Sequence, residues 1–338
     1  MQWGPSLLSL LVKLDEYKVC RSLLDLLSVP VYRFLPPVYL PMASVFLLLL
    51  CAASISNGHI VAFTQGMYCQ NGVSGNNQNA ADAVNPLFML KKDQWWMQHY
   101  SNCDERPPSK NDFLEIPAGG SFTVELATNQ AFTTLSYDGR MVGTFADGQE
   151  HPEYSQYHNT CVTSPNLHTQ NQSMAAGTAF AISYESDLRN VTPENLVVFS
   201  VLEKSPWHRI AIYDAPKALP ACPPGGCTCA WGWIPNSCGE PNMYMLPYKC
   251  RVTGATSTIP VAKGKPPVWC EDDRSKCVSG PKQMLYWHQA EGNNIEVSGY
   301  DLSGSPKSPG YNTKCGFSSG AQNDIFGRGH RGVFKKDE

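Results

Sequence analysis

The segment ASISNGHIVAF, Ala53–Phe63, places a single histidine directly after a run of small residues. If the chain is cut after Gly58, His59 becomes residue one and carries a free α-amine beside its imidazole. An α-amine with a pKa of about 7.7–8.0 gives up its proton readily to a metal, and the amine and imidazole of one residue can chelate the same ion. A second imidazole from elsewhere would complete a T-shaped set of three nitrogens. Planar nitrogen donors favour copper, which also tops the divalent affinity order. Seven further histidines are on offer: His99, His151, His158, His168, His208, His288 and His330. Any one of them, taken alone, is more often structural or exposed than a ligand.

That chemistry depends on processing. Met42–Gly58, MASVFLLLLCAASISNG, supplies the apolar stretch of a signal peptide, with small residues Ser56 and Gly58 before the cut. The reading of residues 1–41 is a mispredicted gene start, with translation beginning at Met42, because KLDEYK interrupts the early leucines. A membrane-spanning anchor is the weaker alternative. Pro30, Pro36, Pro37 and Pro41 break the longer apolar region, and what remains is short of the ~20 residues a span needs. The expectation is a secreted protein, free of the membrane once cleaved, with residues 59–326 as one domain and 327–338 (GRGHRGVFKKDE within it) as a basic disordered tail.

The elements that must position such a site read as β-structure. The chain has 338 residues, 16% of them charged, with 27 Gly and 26 Pro, a composition that suits a loop-rich β protein. Residues 59–338 hold 22 Lys and Arg against 26 Asp and Glu, which gives no electrostatic reason to expect nucleic acid as a partner. Strand-like segments recur at Ser121–Thr128, Ala131–Tyr137, Thr178–Tyr184, Asn195–Leu202, His208–Asp214, Met243–Val252 and Asn293–Leu302. Their spacing predicts an antiparallel, immunoglobulin-like β-sandwich with long loops. The thirteen cysteines indicate an oxidising compartment. Eight of them lie between Cys222 and Cys315 and can make four disulfides that staple loops; three more, Cys69, Cys103 and Cys161, leave an odd count. Zinc fits the spacing of CPPGGCTC poorly. Asn171-Gln-Ser and Asn190-Val-Thr are N-glycosylation acceptors in a secreted chain.

At this level of detail the sequence resembles a fungal lytic polysaccharide monooxygenase of auxiliary activity family fourteen, the type associated with xylan. HIVAF resembles the mature start of that family. DQWWMQH, DFLEIPAGGSFTVELA, PENLVVFSV, ACPPGGCTCAWGWI, NMYMLPYKC, PVWCEDD and GNNIEVSGYDL resemble later blocks in the same order, over about His59 to Phe326. The resemblance implies one copper ion in a histidine brace. Its first ligand is His59. Its second is His168, in CVTSPNLHTQ after a Cys and a Pro; His158 precedes Cys161 and fits less well. The axial ligand is Tyr244 in PNMYM, and Asn242, two residues earlier on the same strand face, is a polar group that positions the oxygen species. The family often carries cysteines at the place of Thr128 and near Thr178 and Ser205. Loss of the one at Thr128 leaves Cys161 either unpaired or joined to Cys69 or Cys103.

The implied chemistry is oxidative cleavage at C1 or C4 of a glycosidic bond, with dioxygen or hydrogen peroxide as co-substrate and an external electron donor. Xylan on cellulose is the expected substrate and a monomer the expected state. A hydrolase would need two carboxylates flanking the bond, and the adjacent Glu271, Asp272 and Asp273 do not flank anything. The tryptophans Trp95, Trp96, Trp207, Trp231, Trp233, Trp269 and Trp287 are read as packing, with AWGW beside the disulfides. A non-catalytic copper-binding protein on the same fold, and a metal-free carbohydrate-binding protein, are the competing readings.

Overall fold

The computed structural model describes residues 59–155, 160–236, 238, 241–300 and 306–327. The proposed leader, the tail beyond 327 and His158 lie outside the described residues. Nine strands form two sheets packed as a sandwich. The smaller sheet has the order β1-β3-β6, with β1 at Val61–Phe63, β3 at Ser121–Ala127 and β6 at Ile210–Asp214. The larger has the order β2-β8-β7-β4-β5-β9. Its strands are β2 (Leu114–Pro117), β4 (Thr178–Ser183), β5 (Val197–Leu202), β7 (Cys227–Trp233), β8 (Tyr244–Thr253) and β9 (Gly320–Ala321). All pairs are antiparallel except β2 with β8, which is parallel. Among the described residues the α-helix is a single turn, Lys92–Trp95.

The larger sheet is covered on both faces. Phe180, Phe199, Trp231, Tyr244 and Tyr248 face the smaller sheet, where Phe63, Phe122, Leu126 and Tyr213 meet them. Ala179, Ala181, Val198, Ala230, Met243 and Met245 face the other way, under Trp95, Met97, Leu285, Tyr286 and Tyr311 from the long loops. Strands buried on both sides lose the apolar–polar alternation that marks a half-buried strand. All seven residues of β7 are buried, so CTCAWGW reads in sequence as a block of packing residues rather than as a strand. Strand β6, whose exposure alternates residue by residue, shows the period-two pattern directly.

Two expected strands are not strands. Ala131–Tyr137 forms 3₁₀ turns, Gln130–Phe132 and Tyr137–Gly139. The Asn129 side chain accepts from Ala131 N at 2.8 Å, and Thr133 Oγ1 donates to Gln130 O at 2.7 Å. Residues 293–300 are irregular. There Asn293 Oδ1 accepts from Gln289 N and Asn294 Oδ1 from Tyr286 N, both at 2.9 Å. In each case short polar side chains satisfy the backbone locally and displace a strand ladder.

The disulfides also depart from expectation. Cys69 pairs with Cys103, Cys222 with Cys227, Cys229 with Cys250 and Cys270 with Cys277. Cys161 pairs with Cys238, so the block from Cys222 to Cys315 holds three internal bridges and not four. Cys315 is the unpaired, buried cysteine among the described residues. Thr178 Oγ1 and Ser205 Oγ share a hydrogen bond at 2.6 Å.

Candidate metal centre

His59 leads directly into β1. Ile60 and all three β1 residues are buried, and Val61 pairs with Ala127 of β3. Tyr248 of the opposite sheet donates its hydroxyl proton to Ala62 O. The position of His59 is thus set by core packing from the next residue onward. Its Nδ1 is buried and makes no hydrogen bond. Burial, and then the nearby charge of His168, lower its pKa from 6.5 to about 4, so the ring is neutral at pH 7 and its lone pair is available.

His168 sits in a loop, at φ 49°, a left-handed conformation uncommon for residues other than glycine. Asn166 Oδ1 accepts from His168 N at 3.1 Å, and Val162 N donates to Thr169 O at 2.9 Å, closing the loop around it. His168 Nδ1 lies 2.7 Å from Cys238 O. A carbonyl only accepts, so Nδ1 carries the proton and Nε2 keeps the lone pair. The Cys161–Cys238 bridge joins the start of this loop to the residue whose carbonyl orients the ring.

Tyr244, the first residue of β8, brings its ring to 6.1 Å from that of His59, edge to face. Burial pushes its phenol pKa well up, and the neighbouring Asn242 side chain only partly offsets this. The Tyr244 hydroxyl is buried without a well-formed hydrogen bond. Asn242 is itself buried, just ahead of the strand. Trp233, paired with Tyr244 across β7 and β8, stacks on the tyrosine at 4.7 Å and meets the His168 ring edge-on at 5.6 Å. It is the structural link between the two sides of the cluster.

His59, His168, Tyr244 and Asn242 therefore meet at one end of the sandwich, although 185 positions separate the first from Tyr244. Two lone-pair nitrogens and a phenol oxygen fit a borderline metal of copper's type. No group of three or more His, Cys, Asp or Glu side chains gathers as a metal site among the described residues. The cluster has only two imidazoles, and its third nitrogen would be an amine that processing exposes. The other described histidines are engaged elsewhere: His99 with Asp104, His151 with Asp147 and Glu153, His208 against Phe145, and His288 against Phe88.

Residues 41–333 match the family model of lytic polysaccharide monooxygenase AA14. The chain belongs to the AA14 family of lytic polysaccharide monooxygenases. It is 37% identical over 303 residues to AA14 family lytic polysaccharide monooxygenase B of Trametes coccinea, covering 86% of this chain and 66% of that protein. The same-named protein of Pycnoporus cinnabarinus is 36% identical, with 86% and 74% covered. That of Talaromyces rugulosus is 36% identical, with 81% and 95% covered. The chain thus spans about two thirds of the first relative and nearly all of the third.

Trp233, Asn166 and the Cys161–Cys238 bridge are the parts of the candidate site that sequence reasoning missed. Trp233 had one usable signal, its odd–even spacing from Trp231 and Cys229 in a wholly apolar run. The bridge had none, since eleven cysteines in residues 59–338 fix no connectivity.

Proposed function

We propose that the processed chain, beginning at His59, is a secreted copper-dependent monooxygenase that cleaves plant cell-wall polysaccharide, with xylan bound to cellulose as its substrate. The observation that carries this reading is a pair of buried polar atoms, His59 Nδ1 with no hydrogen bond and the Tyr244 hydroxyl with no well-formed one, set beside a His168 ring whose Nδ1 is already committed to Cys238. Buried polar groups are ordinarily satisfied, and a group left over calls for an explanation such as an unseen ion.

In this reading the His59 amine and Nδ1, His168 Nε2 and the Tyr244 hydroxyl would hold the copper. Copper bound there supplies one-electron redox chemistry toward dioxygen or hydrogen peroxide, fed by an external electron donor. The chain supplies the geometry. The depressed pKa of His59 keeps its ring in the ligating form near neutral pH. The raised pKa of Tyr244 keeps its proton on the phenol in the metal-free site. Trp233 packs between Tyr244 and His168 and fixes their spacing. Asn242, at the phenol, offers an amide to a co-substrate approaching that side.

The test is made on protein secreted and confirmed by mass analysis to start at His59. A type-2 Cu(II) electron paramagnetic resonance signal, lost in His168→Ala, is expected, with oxidised oligosaccharides released from xylan–cellulose in the presence of a reductant. A chain that starts elsewhere, or binds no copper, ends this reading. A copper signal with no oxidised product on any of several polysaccharides leaves a copper-binding protein without catalysis.

A further inference from the structure

A cavity of about 680 Å³ lies between two segments that are linked to those carrying the candidate centre. One wall is the segment from Thr144 to Tyr154; the other is the turn Asn171–Ser173 together with Lys204–His208. Both walls are tied to the segments that carry the brace. On the first, Thr128 N donates to Ala146 O at 3.0 Å, one residue beyond the Ala127 that pairs with Val61, two residues from His59. On the second, the turn begins three residues after His168, and Ser205 O accepts from Gly177 N at 2.9 Å at the head of β4. The walls also meet each other: Arg209 N donates to Thr144 O at 2.8 Å, and Phe145 bridges His208.

The lining is aromatic below and polar at the rim. Phe145 packs edge-on against Tyr154 at 5.3 Å and Trp207 at 5.9 Å, and tilts against His208 at 5.2 Å. Tyr154 is held by a parallel stack on His151 at 4.5 Å, and His151 is itself fixed between Asp147 and Glu153, each at 2.8 Å. The Glu150 carboxylate at the rim accepts from Thr144 N at 3.1 Å and from its hydroxyl. Gln172 and Lys204 complete the polar edge. Apolar rings below and a few placed polar groups above, in a volume within the roughly 300–1,000 Å³ of ligand sites, suit a sugar ring with one carbon–hydrogen face and several hydroxyls. One carboxylate opposite one ammonium gives no preference for a charged sugar.

We propose that this cavity is a branch-sugar subsite: it takes one uncharged monosaccharide unit projecting from the polysaccharide chain that lies over the metal centre. A backbone unit is linked at both ends and has to run across a surface, whereas a branch is linked at one end and can enter a concave site. The inference rests on the polysaccharide reading of the function, and names a structural feature of the substrate, a neutral side branch near the bond attacked.

The test is calorimetric titration of the copper-free mature protein, enzymatically freed of any glycan at Asn171, with two xylo-oligosaccharides of equal backbone length, one unbranched and one bearing a single arabinose. The branched ligand is expected to bind roughly tenfold more tightly, the size of one good aromatic contact. Tyr154→Ala and, separately, His208→Ala are each expected to remove that difference while the melting temperature reports that the variant is folded. Equal affinity for the two ligands, binding of neither, or a preference that survives both substitutions overturns the proposal. The Cu(II) resonance signal of the unsubstituted protein is read separately. Its absence defeats the copper reading and leaves branch discrimination to stand or fall on the titration.

Discussion

The two histidines of the candidate centre are held in opposite ways. His59 precedes a strand with every residue buried, and the hydrophobic core of the sandwich fixes it. His168 lies in a loop at a left-handed backbone angle, and a disulfide, an asparagine side chain and one backbone carbonyl fix it. The first half of the site is secured by non-directional burial, which tolerates volume-conserving change. The second is secured by a few directional links, each of which can be cut singly.

The contrast can be broken most severely at the His59 side by chemistry rather than packing. A chain with one extra residue ahead of His59 keeps its fold but loses the free amine, and its Cu(II) resonance signal is expected to vanish. Next in size is Trp233→Ala, which removes the ring shared by both halves; about 3–5 kcal/mol of stability should be lost, with weaker copper binding, read by denaturant melts and calorimetry. The double substitution Cys161→Ser with Cys238→Ser acts on the His168 side alone. It should cost about 2–5 kcal/mol and broaden the copper signal, whereas removing Cys222–Cys227 should leave that signal unchanged.

A pH titration separates the halves again. The folded pKa of His59, about 4, lies below its unfolded value of 6.5. The unfolded chain therefore takes up this proton first as pH falls, and the stability gained from a neutral ring is complete above pH 6.5 and declines toward pH 4. By pH 5 the metal-free mature protein should have lost about 2 kcal/mol through this group, visible in its melting temperature and in the late ring titration of His59 by NMR. The smallest change is Asn166→Ala, which deletes one accepted bond at His168 N and should cost about 1 kcal/mol. Its effect on copper affinity should exceed that of any single methyl deletion under β1.

What was legible in the sequence follows the same division. Strand β6 and part of β3 announced themselves by alternation, and β4, β5 and β8 by runs of β-branched and aromatic residues although both faces of their sheet are covered; all five lie within a residue or two of the segments read from pattern. The wholly buried β7, CTCAWGW, offered neither signal. Asparagine-rich segments at 129 and 293–294 imitated strands by composition, but their side chains bond the backbone locally. His59 stood out because a cleavage signal abuts it. His168, Tyr244 and Asn242 were reached through family resemblance alone, since a loop histidine and a strand tyrosine carry no mark of their partners. The Cys161–Cys238 bridge was unreadable because contact between positions 77 apart is a property of the fold and leaves no local pattern.

The buried Cys315 has a practical consequence. Burial pushes its thiol pKa up to about 12, so a maleimide or disulfide reagent that needs the thiolate finds almost none while the chain is folded. With the other ten cysteines of residues 59–338 bridged, reagent uptake counts openings of the loop layer around Cys315. The protein thus carries its own clock for local unfolding, one that can be read without labelling either half of the candidate metal centre.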